Sequence, residues 1–441
     1  MAHPTRTARL IGALVAAAFV LAACSSTDPE PTATPEPTPP PAGEPGGVSA
    51  GPDARVPNTP FKVASADVGI HSYTTNPEIP KGGLRIACAP TWAQIEPSPG
   101  QYDWTQFDQF MTKYDDWGYT DYLFTFCGTP EWAAKPIKGA DPSITGPGEA
   151  AAPKKISDYA DFVGEVANRY KGRIQSYQIW NEPSSTQFWV GTPQEMAKMT
   201  AAGFEAIRAA DPGAAVYSAS SQTHRPTHFT DFLNPYLKEL EKLDWPIDVM
   251  SAHFYPLGEA GPKQSVKQIK QVQKLLDKRG VPANRPLANT EVNYYVSLPD
   301  NSNKKGRIRG DKAAAWTVQT YLDNWRNGIR QVFWYFWTQE YNAFPGIQTR
   351  PGDPASLALA TFSEWVVDSQ FQGCQTKQKL NICDFTNADG TDYQIVWAES
   401  GTTKYTLKQS SEVCPVYDGQ CQESKGKVSI GIVPVRVTPR G

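Results

Sequence analysis

The chain has 441 residues, is 40% hydrophobic and 20% charged, and carries a formal charge of −3 from 42 Lys+Arg and 45 Asp+Glu. That length accommodates two or three domains at roughly 150 residues each, and the near-neutral balance gives no electrostatic footprint for nucleic acid. The only long apolar run is N-terminal, which argues against an internal membrane span. The 13 Trp, 19 Tyr and 18 Phe suit both a large core and a surface for flat, half-polar ligands.

Residues 1–24 read as a targeting segment. Arg6 and Arg9 form a basic start, Leu10 to Leu21 an apolar run too short to span a bilayer, and Leu21-Ala22-Ala23-Cys24 closes it. Small residues before Cys resemble the lipobox of bacterial lipoproteins, in which the Cys sulfur is lipidated before cleavage. The alternative is an ordinary signal peptide with a chance Cys. Eight of the seventeen residues from Pro29 to Pro45 are proline. Residues 25–60 are therefore expected to be an extended, disordered tether, holding a folded body outside the cell on a membrane lipid anchor. Setting Cys24 aside leaves six of seven Cys, an even number that suggests disulfides in an exported protein. Fifteen pairings are open. The one expected here is Cys88 with Cys127, Cys374 with Cys383, and Cys414 with Cys421. There is no CxxC pair, and Pro226 between His224 and His228 argues against a helical metal pair, so no metal is expected.

From about residue 61, apolar runs alternate with amphipathic helical patterns. Eight runs read as strands: Asp67–His71, Leu84–Cys88, Tyr122–Phe126, Ser176–Trp180, Ala215–Ala219, Asp248–Phe254, Pro286–Thr290 and Gln331–Phe336. Strand–helix alternation predicts parallel pairing. Eight units of this length fit an α/β fold, the (β/α)8 TIM barrel, over residues 61–362. Phe107, Phe110, Met111 and Tyr114 mark one helical face. Thr192-Pro193-Gln194-Glu195 is a capping box with Pro at the first helical position, and Asp211-Pro212-Gly213 ends that helix. Ser157 and Ser265 are read as starting two further helices. The first crossover, with Pro77, Pro80 and a Gly pair, is too irregular for a full helix. Short alternating runs and four Cys over residues 363–441 predict a small C-terminal β-sandwich domain.

Barrel active sites lie at the C-terminal ends of the strands. The fourth strand ends in Trp180-Asn181-Glu182-Pro183 and the seventh in Asn289-Thr290-Glu291. Carboxylates there can face each other across the mouth. Glycosidic cleavage needs such a pair, one protonated to serve the leaving oxygen and one ionised to attack or to activate water.

With these landmarks the chain resembles clan A glycoside hydrolases, nearest to family 39-like and family 5-like barrels with a trailing β domain. The likeness runs from about Val68 to Trp337. It rests on Leu84-Arg85-Ile86, Thr91-Trp92 through Gly100-Gln101-Tyr102-Asp103-Trp104, Thr129-Pro130-Glu131-Trp132-Ala133, Tyr170-Lys171-Gly172-Arg173-Ile174, Trp180-Asn181-Glu182-Pro183, Ser251-Ala252-His253-Phe254-Tyr255 and Thr290-Glu291. The resemblance implies Glu182 as acid/base, Glu291 as nucleophile, retention of configuration and no cofactor. By the same mapping, Asn181 bonds the sugar 2-OH, Arg85 pairs with Glu291, Tyr255 orients it, His253 lines the pocket and Trp337 stacks on the sugar at the cleavage point. Trp92, Trp132, Trp189 and Tyr294 are candidates for outer sugar sites, with core packing the equal alternative. The expected partner is an oligo- or polysaccharide, bound by a monomer. Two other readings use the same residues: a non-catalytic glycan-binding envelope lipoprotein, and a transglycosidase.

Overall fold

Each of the eight predicted runs forms a strand. The computed structural model describes residues 55–257, 260–294, 308–338 and 346–440; the predicted targeting segment and most of the tether lie outside them. After a two-residue strand, β1 (Phe61–Lys62), come β2 (Gly69–His71), β3 (Gly83–Ala87), β4 (Tyr122–Thr125), β5 (Ser176–Gln178), β6 (Ala215–Tyr217), a short extra strand β7 (Ser221–Gln222), β8 (Met250–His253), β9 (Leu287–Val292) and β10 (Val332–Trp334). Strands β2 to β10 form one sheet in the order β6-β5-β4-β3-β2-β10-β9-β8-β7. A parallel bridge between Tyr217 and Val249 joins its ends, helped by the Ser218 N–H donating to the Val249 carbonyl at 2.9 Å. The sheet is thus a closed (β/α)8 barrel.

Its interior is layered. Leu123, Tyr217, Val249, Ala288 and Phe333 form an apolar plug, the layered filling of a barrel of this size. Gly69 on β2 is required there, since a Cβ would stand 2.3 Å from the Phe333 ring. The barrel strands also carry inward polar side chains, Arg85, Thr125, Gln178, Ser251 and Thr290, all buried.

The outer helices follow the apolar stripes. They are α1 (Trp92–Ile95), α2 (Thr105–Asp116), α3 (Ile156–Arg169), α4 (Pro193–Ala210), α5 (Asn234–Lys242), α6 (Pro262–Lys278), α7 (Gly310–Trp325) and α8 (Pro354–Val366). Phe107, Met111 and Tyr114 are the buried face of α2. At α4 both halves of the capping box are made: Glu195 N–H to Thr192 Oγ1 at 3.1 Å and Thr192 N–H to Glu195 Oε2 at 2.7 Å. No helix spans the first crossover, residues 72–82. Two predicted starts are corrected. Helix α3 begins at Ile156, before Ser157, with no side-chain cap. Helix α6 begins at Pro262, and Ser265 is spent inside it on the Phe254 carbonyl. Among the described residues no helix is long and apolar enough to cross a membrane.

The C-terminal region contains β11 (Gln370–Lys377), β12 (Leu380–Thr386), β13 (Asp392–Ala398), β14 (Thr403–Thr406), β15 (Ser411–Pro415), β16 (Gln422–Ser424), β17 (Lys427–Ile430) and β18 (Val435–Pro439). An antiparallel sheet β1-β11-β12-β13-β18-β15-β16 is faced by the hairpin-like pair β14-β17. Leu380, Ile382, Val396 and Val437 of the sheet pack with Leu407 and Ile430 beside the pair, which makes a small sandwich. The other face meets the barrel: Phe371 and Phe385 lie 5.8 and 6.4 Å from the Trp325 ring. The predicted boundary at 363 falls inside α8, because Phe362 and Val366 are buried in the barrel–helix core. The disulfides are Cys88–Cys127, Cys374–Cys383 and Cys414–Cys421.

The predicted tether is also shorter than expected, because residues 55–60 belong to the fold. Arg55 donates to the carbonyls of Pro282, Arg285 and Val281 at 2.7, 2.7 and 2.9 Å. Asn58 pairs with the Cys374 backbone in both directions, and Phe61 registers with Phe371 in the C-terminal sheet. This segment therefore ties the β9 end of the barrel to the β domain. A bond from a charged donor contributes about 1.5–3 kcal/mol, so losing all three costs at least about 2 kcal/mol. Arg55→Ala should lower the denaturant midpoint accordingly and leave the m-value unchanged.

Candidate active site

Two local departures from regular geometry aim the carboxylates inward. On β9, Ala288 and Thr290 face the interior, so strict alternation would point Glu291 outward. The register prevents this. One step on β8, Ala252 to His253, is matched by two on β9, Asn289 to Glu291; against β10 the same strand also gains a residue. This β-bulge re-aims Glu291 into the mouth. Past β5, Glu182 has φ +40°, a left-handed conformation that costs a non-glycine residue about 1–2 kcal/mol.

The two glutamates are 8% and 7% exposed. Together with His253 they offer side-chain atoms that all lie within 4.8 Å of one another. Arg85 Nη1 donates to Glu291 Oε1 at 2.5 Å, and the Tyr255 hydroxyl donates to Oε2 at 2.8 Å. The same guanidinium donates to Asn181 Oδ1 at 3.0 Å and Gln178 Oε1 at 3.3 Å. His253 Nδ1 lies 2.7 Å from Glu182 Oε1 and 3.5 Å from Glu291 Oε2. Facing two carboxylates, it must carry the hydrogen when both are ionised. Gln222 Nε2 donates to Glu182 Oε2 at 2.7 Å.

Burial alone would raise the Glu291 carboxyl. His253 and Arg85, with His71 and the Tyr255 hydroxyl behind them, outweigh it and hold the group down at about 2. Burial, then Arg85, lowers His71 to about 3. His71 is thus a neutral ring packed beside the guanidinium, its Nδ1 3.4 Å from Arg85 Nη1.

Several predicted site residues therefore converge: Arg85, Asn181, Glu182, His253, Tyr255 and Glu291. The predicted aromatics are instead packed into the core or half-buried. Trp92 is 1% exposed, stacked on Phe162 at 5.3 Å and bonded to Glu96. Trp189 and Tyr294 are likewise buried, against Trp180 and Thr320. Trp132 is half-buried, with its indole N–H on the Glu96 carbonyl. Trp337 is 2% exposed and inside the core. At the end of β10, Tyr335 and Phe336 are the half-exposed rings, and Tyr335 lies close enough to both glutamates for their charges to raise its phenol, after burial.

Four residues at the site were not singled out from sequence: His71, Gln178, Gln222 and Tyr335. His71 ends the first predicted strand and Gln178 occupies an inward position of the fourth, so both carried a positional signal. Gln222 sits on the unanticipated β7 and carried none.

Two trios of metal-ligating side chains occur among the described residues. In one, Cys414 and Cys421 are joined as a disulfide, so their sulfurs are not available as thiolate ligands. In the other, Glu182, His253 and Glu291, the carboxylate oxygens already accept from Arg85, Tyr255 and Gln222. The donor set fits an arginine-paired site better than a metal centre.

A parallel eight-unit barrel with paired glutamates at its mouth and a trailing β domain defines a clan A glycoside hydrolase. In sequence, residues 101–321, about half the chain, match the model of glycosyl hydrolases family 39, and the chain belongs to that family. The fold aligns with a family 39 glycoside hydrolase from Bacteroides cellulosilyticus WH2 at TM-score 0.63 and 14% identity, over 86% of this chain and 82% of that one. It aligns with CelM2, a bifunctional glucanase-xylanase from a metagenome library, at 0.61 and 13%, over 88% and 98%. A family 39 β-xylosidase from Caulobacter crescentus aligns at 0.59 and 15%, over 85% and 96%. No curated protein matches the chain in sequence.

The charge states have a measurable consequence. Unfolded His71 takes up a proton below its ordinary 6.5 while the folded ring does so only near 3. Unfolded Glu291 protonates near 4.5, the folded one near 2. In both windows the unfolded chain holds more protons, so stability rises with pH and is lost as pH falls. The melting temperature should drop from about pH 6.5 downward and more steeply below 4.5. Glu291→Gln should remove the second component, giving a shallower slope between 4.5 and 2 in a pH series of thermal melts.

Proposed function

We propose that the chain is a retaining hydrolase of oligo- or polysaccharides, acting by double displacement with Glu291 as nucleophile and Glu182 as acid/base. The observation that carries this reading is the close approach of two glutamates of which, among the described residues, only Glu291 is paired to a guanidinium. Retaining enzymes hold their carboxyls roughly 5–5.5 Å apart, against 6.5–9.5 Å in inverting ones. An ionised Glu291, oriented by Arg85 and Tyr255, attacks the anomeric carbon. Glu182 protonates the departing oxygen and then takes a proton from the water that releases the sugar. Asn181, fixed by Arg85, is available to the 2-OH. Tyr335 and Phe336 supply aromatic surface beside the cleavage point.

Xylo- and gluco-oligosaccharides are the first substrates to test, since the structural relatives above include a β-xylosidase and a glucanase-xylanase. Glu291→Gln should lower kcat/KM on the order of 10⁴-fold or more. Glu182→Gln should cost about 10²–10⁴-fold on natural linkages. On a dinitrophenyl glycoside, whose leaving group needs no proton, Glu182→Gln should show a burst of dinitrophenolate followed by slow turnover. Proton NMR of the first-formed product should show the substrate's own anomer. An inverted product, or full activity in either variant, overturns the mechanism.

We further propose export and anchoring through a lipidated Cys24 on the outer side of a bacterial cell membrane, with the hydrolase acting there as a monomer. The support is the segment Leu21-Ala22-Ala23-Cys24 and the proline-rich stretch after it. Cys24→Ser should abolish incorporation of labelled fatty acid and move the protein out of the membrane fraction.

A further inference from the structure

A second concave site lies on the outer side of the barrel wall, where α6 and α7 meet the C-terminal sheet. Its cavity volume is about 480 Å³, within the range of small-ligand sites. The glutamate pair points to the barrel interior and does not line it. Three observations concern its chemistry. First, Lys263, Lys267 and Lys270 fall at i, i+4 and i+7 on α6 and so share one helical face. Lys263 is balanced by Glu399 at 3.6 Å; Lys267 and Lys270 have no acidic partner among the described residues. Second, Asp323 lies within the cleft, its nearest cation Arg326 at 3.5 Å. Burial raises this carboxyl to about 6, so its lone pairs would gain from hydroxyl donors. Third, Trp397, only 2% exposed, lines the cleft with its indole N–H unpaired among the described residues.

A fixed carboxylate acceptor and an indole N–H donor match a sugar's hydroxyls. The surplus of lysine adds a demand for negative charge. We propose that this seam is a non-catalytic saccharide site for a short uronate-bearing stretch of glycan, its carboxylates on Lys267 and Lys270 and its hydroxyls on Asp323 and Trp397. Such a site would hold an acidic polysaccharide on the body of the enzyme without occupying the mouth.

The test is calorimetry of the full-length chain with tetragalacturonate, and with cellotetraose as the neutral control. Wild type should bind the acidic probe with a Kd of about 1 mM or below and the neutral one at least about fivefold more weakly. The double variant Lys267→Glu/Lys270→Glu should bind tetragalacturonate about tenfold more weakly. Its melting temperature should stay at the wild-type value, which shows that it folds. Where an aryl glycoside is turned over, the variant should hydrolyse it at the wild-type rate, and tetragalacturonate should not compete with it. Absence of binding at about 10 mM, equal affinity for both probes, unchanged binding in the variant, or competition at the mouth would each overturn the proposal. None of these readouts requires the glutamate pair to be catalytic, so failure of the hydrolytic reading is seen separately, as absence of turnover.

Discussion

A guanidinium and a carboxylate buried 2.5 Å apart are the constraint around which the rest of the barrel is arranged. Arg85 is fully buried and Glu291 nearly so. Removing two such charges from water costs several kcal/mol each, and attraction repays this only if their remaining hydrogen-bonding groups are also satisfied. The surroundings meet that condition. Gln178 and Asn181 accept from the remaining guanidinium nitrogens, and Tyr255 donates to the second carboxylate oxygen. Gln178 is in turn held by Thr125 and reaches toward Ser251 and Thr290. One ion pair thereby draws in side chains from β3, β4, β5, β8 and β9. Such a network is stable only on a dry floor, which the apolar plug below it provides.

Both glutamates reach the mouth through backbone that a regular strand would not supply. Glu291 needs the extra residue in β9, and Glu182 needs a left-handed φ. Each irregularity has a local cost, and each is held by the network it serves. The bulge lies where His253 and Arg85 meet Glu291, while the left-handed turn is closed by the Ser185 N–H on the Glu182 carbonyl at 2.8 Å. Left-handed φ also occurs at nine other non-glycine residues among those described, so what marks these two departures as functional is that each carries a side chain of the site itself.

This explains what could be read from the sequence. The eight strands were legible because fully buried parallel strands are short apolar runs between helical patterns. The capping box at Thr192 was legible because it is entirely local. The convergence of Arg85, Asn181, Glu182, His253, Tyr255 and Glu291 was legible because barrel topology places strand ends together, and the resemblance supplied the pairing. Aromatic exposure was not legible. Trp334-Tyr335-Phe336-Trp337 offers four large rings in succession, and which of them faces the mouth depends on where β10 stops alternating. Arg55 was unreadable for the opposite reason. It lies in a proline- and glycine-rich stretch whose composition signals a linker, and its partners are carbonyls more than two hundred residues away. Gln222 depends on a two-residue strand too short to leave a pattern.

The surroundings of the two carboxylates differ in kind, and under the proposed mechanism that difference divides the labour. Glu291 has a permanent cation on one oxygen and a phenol on the other, a setting that favours charge throughout the cycle. Glu182 has an amide on one oxygen and an imidazole on the other. Gln222 cannot lose or gain a proton, so it fixes the carboxyl without dictating its charge. His253 lies between the two groups, 2.7 Å from one and 3.5 Å from the other. Its remaining ring nitrogen, Nε2, is buried without a partner among the described residues. As negative charge leaves Glu291 on forming a glycosyl ester, the imidazole's pull is redistributed toward Glu182, which at that moment becomes a carboxylate. A single ring touching both groups couples their charges in opposite senses, as a nucleophile and an acid/base whose charges alternate through the cycle require.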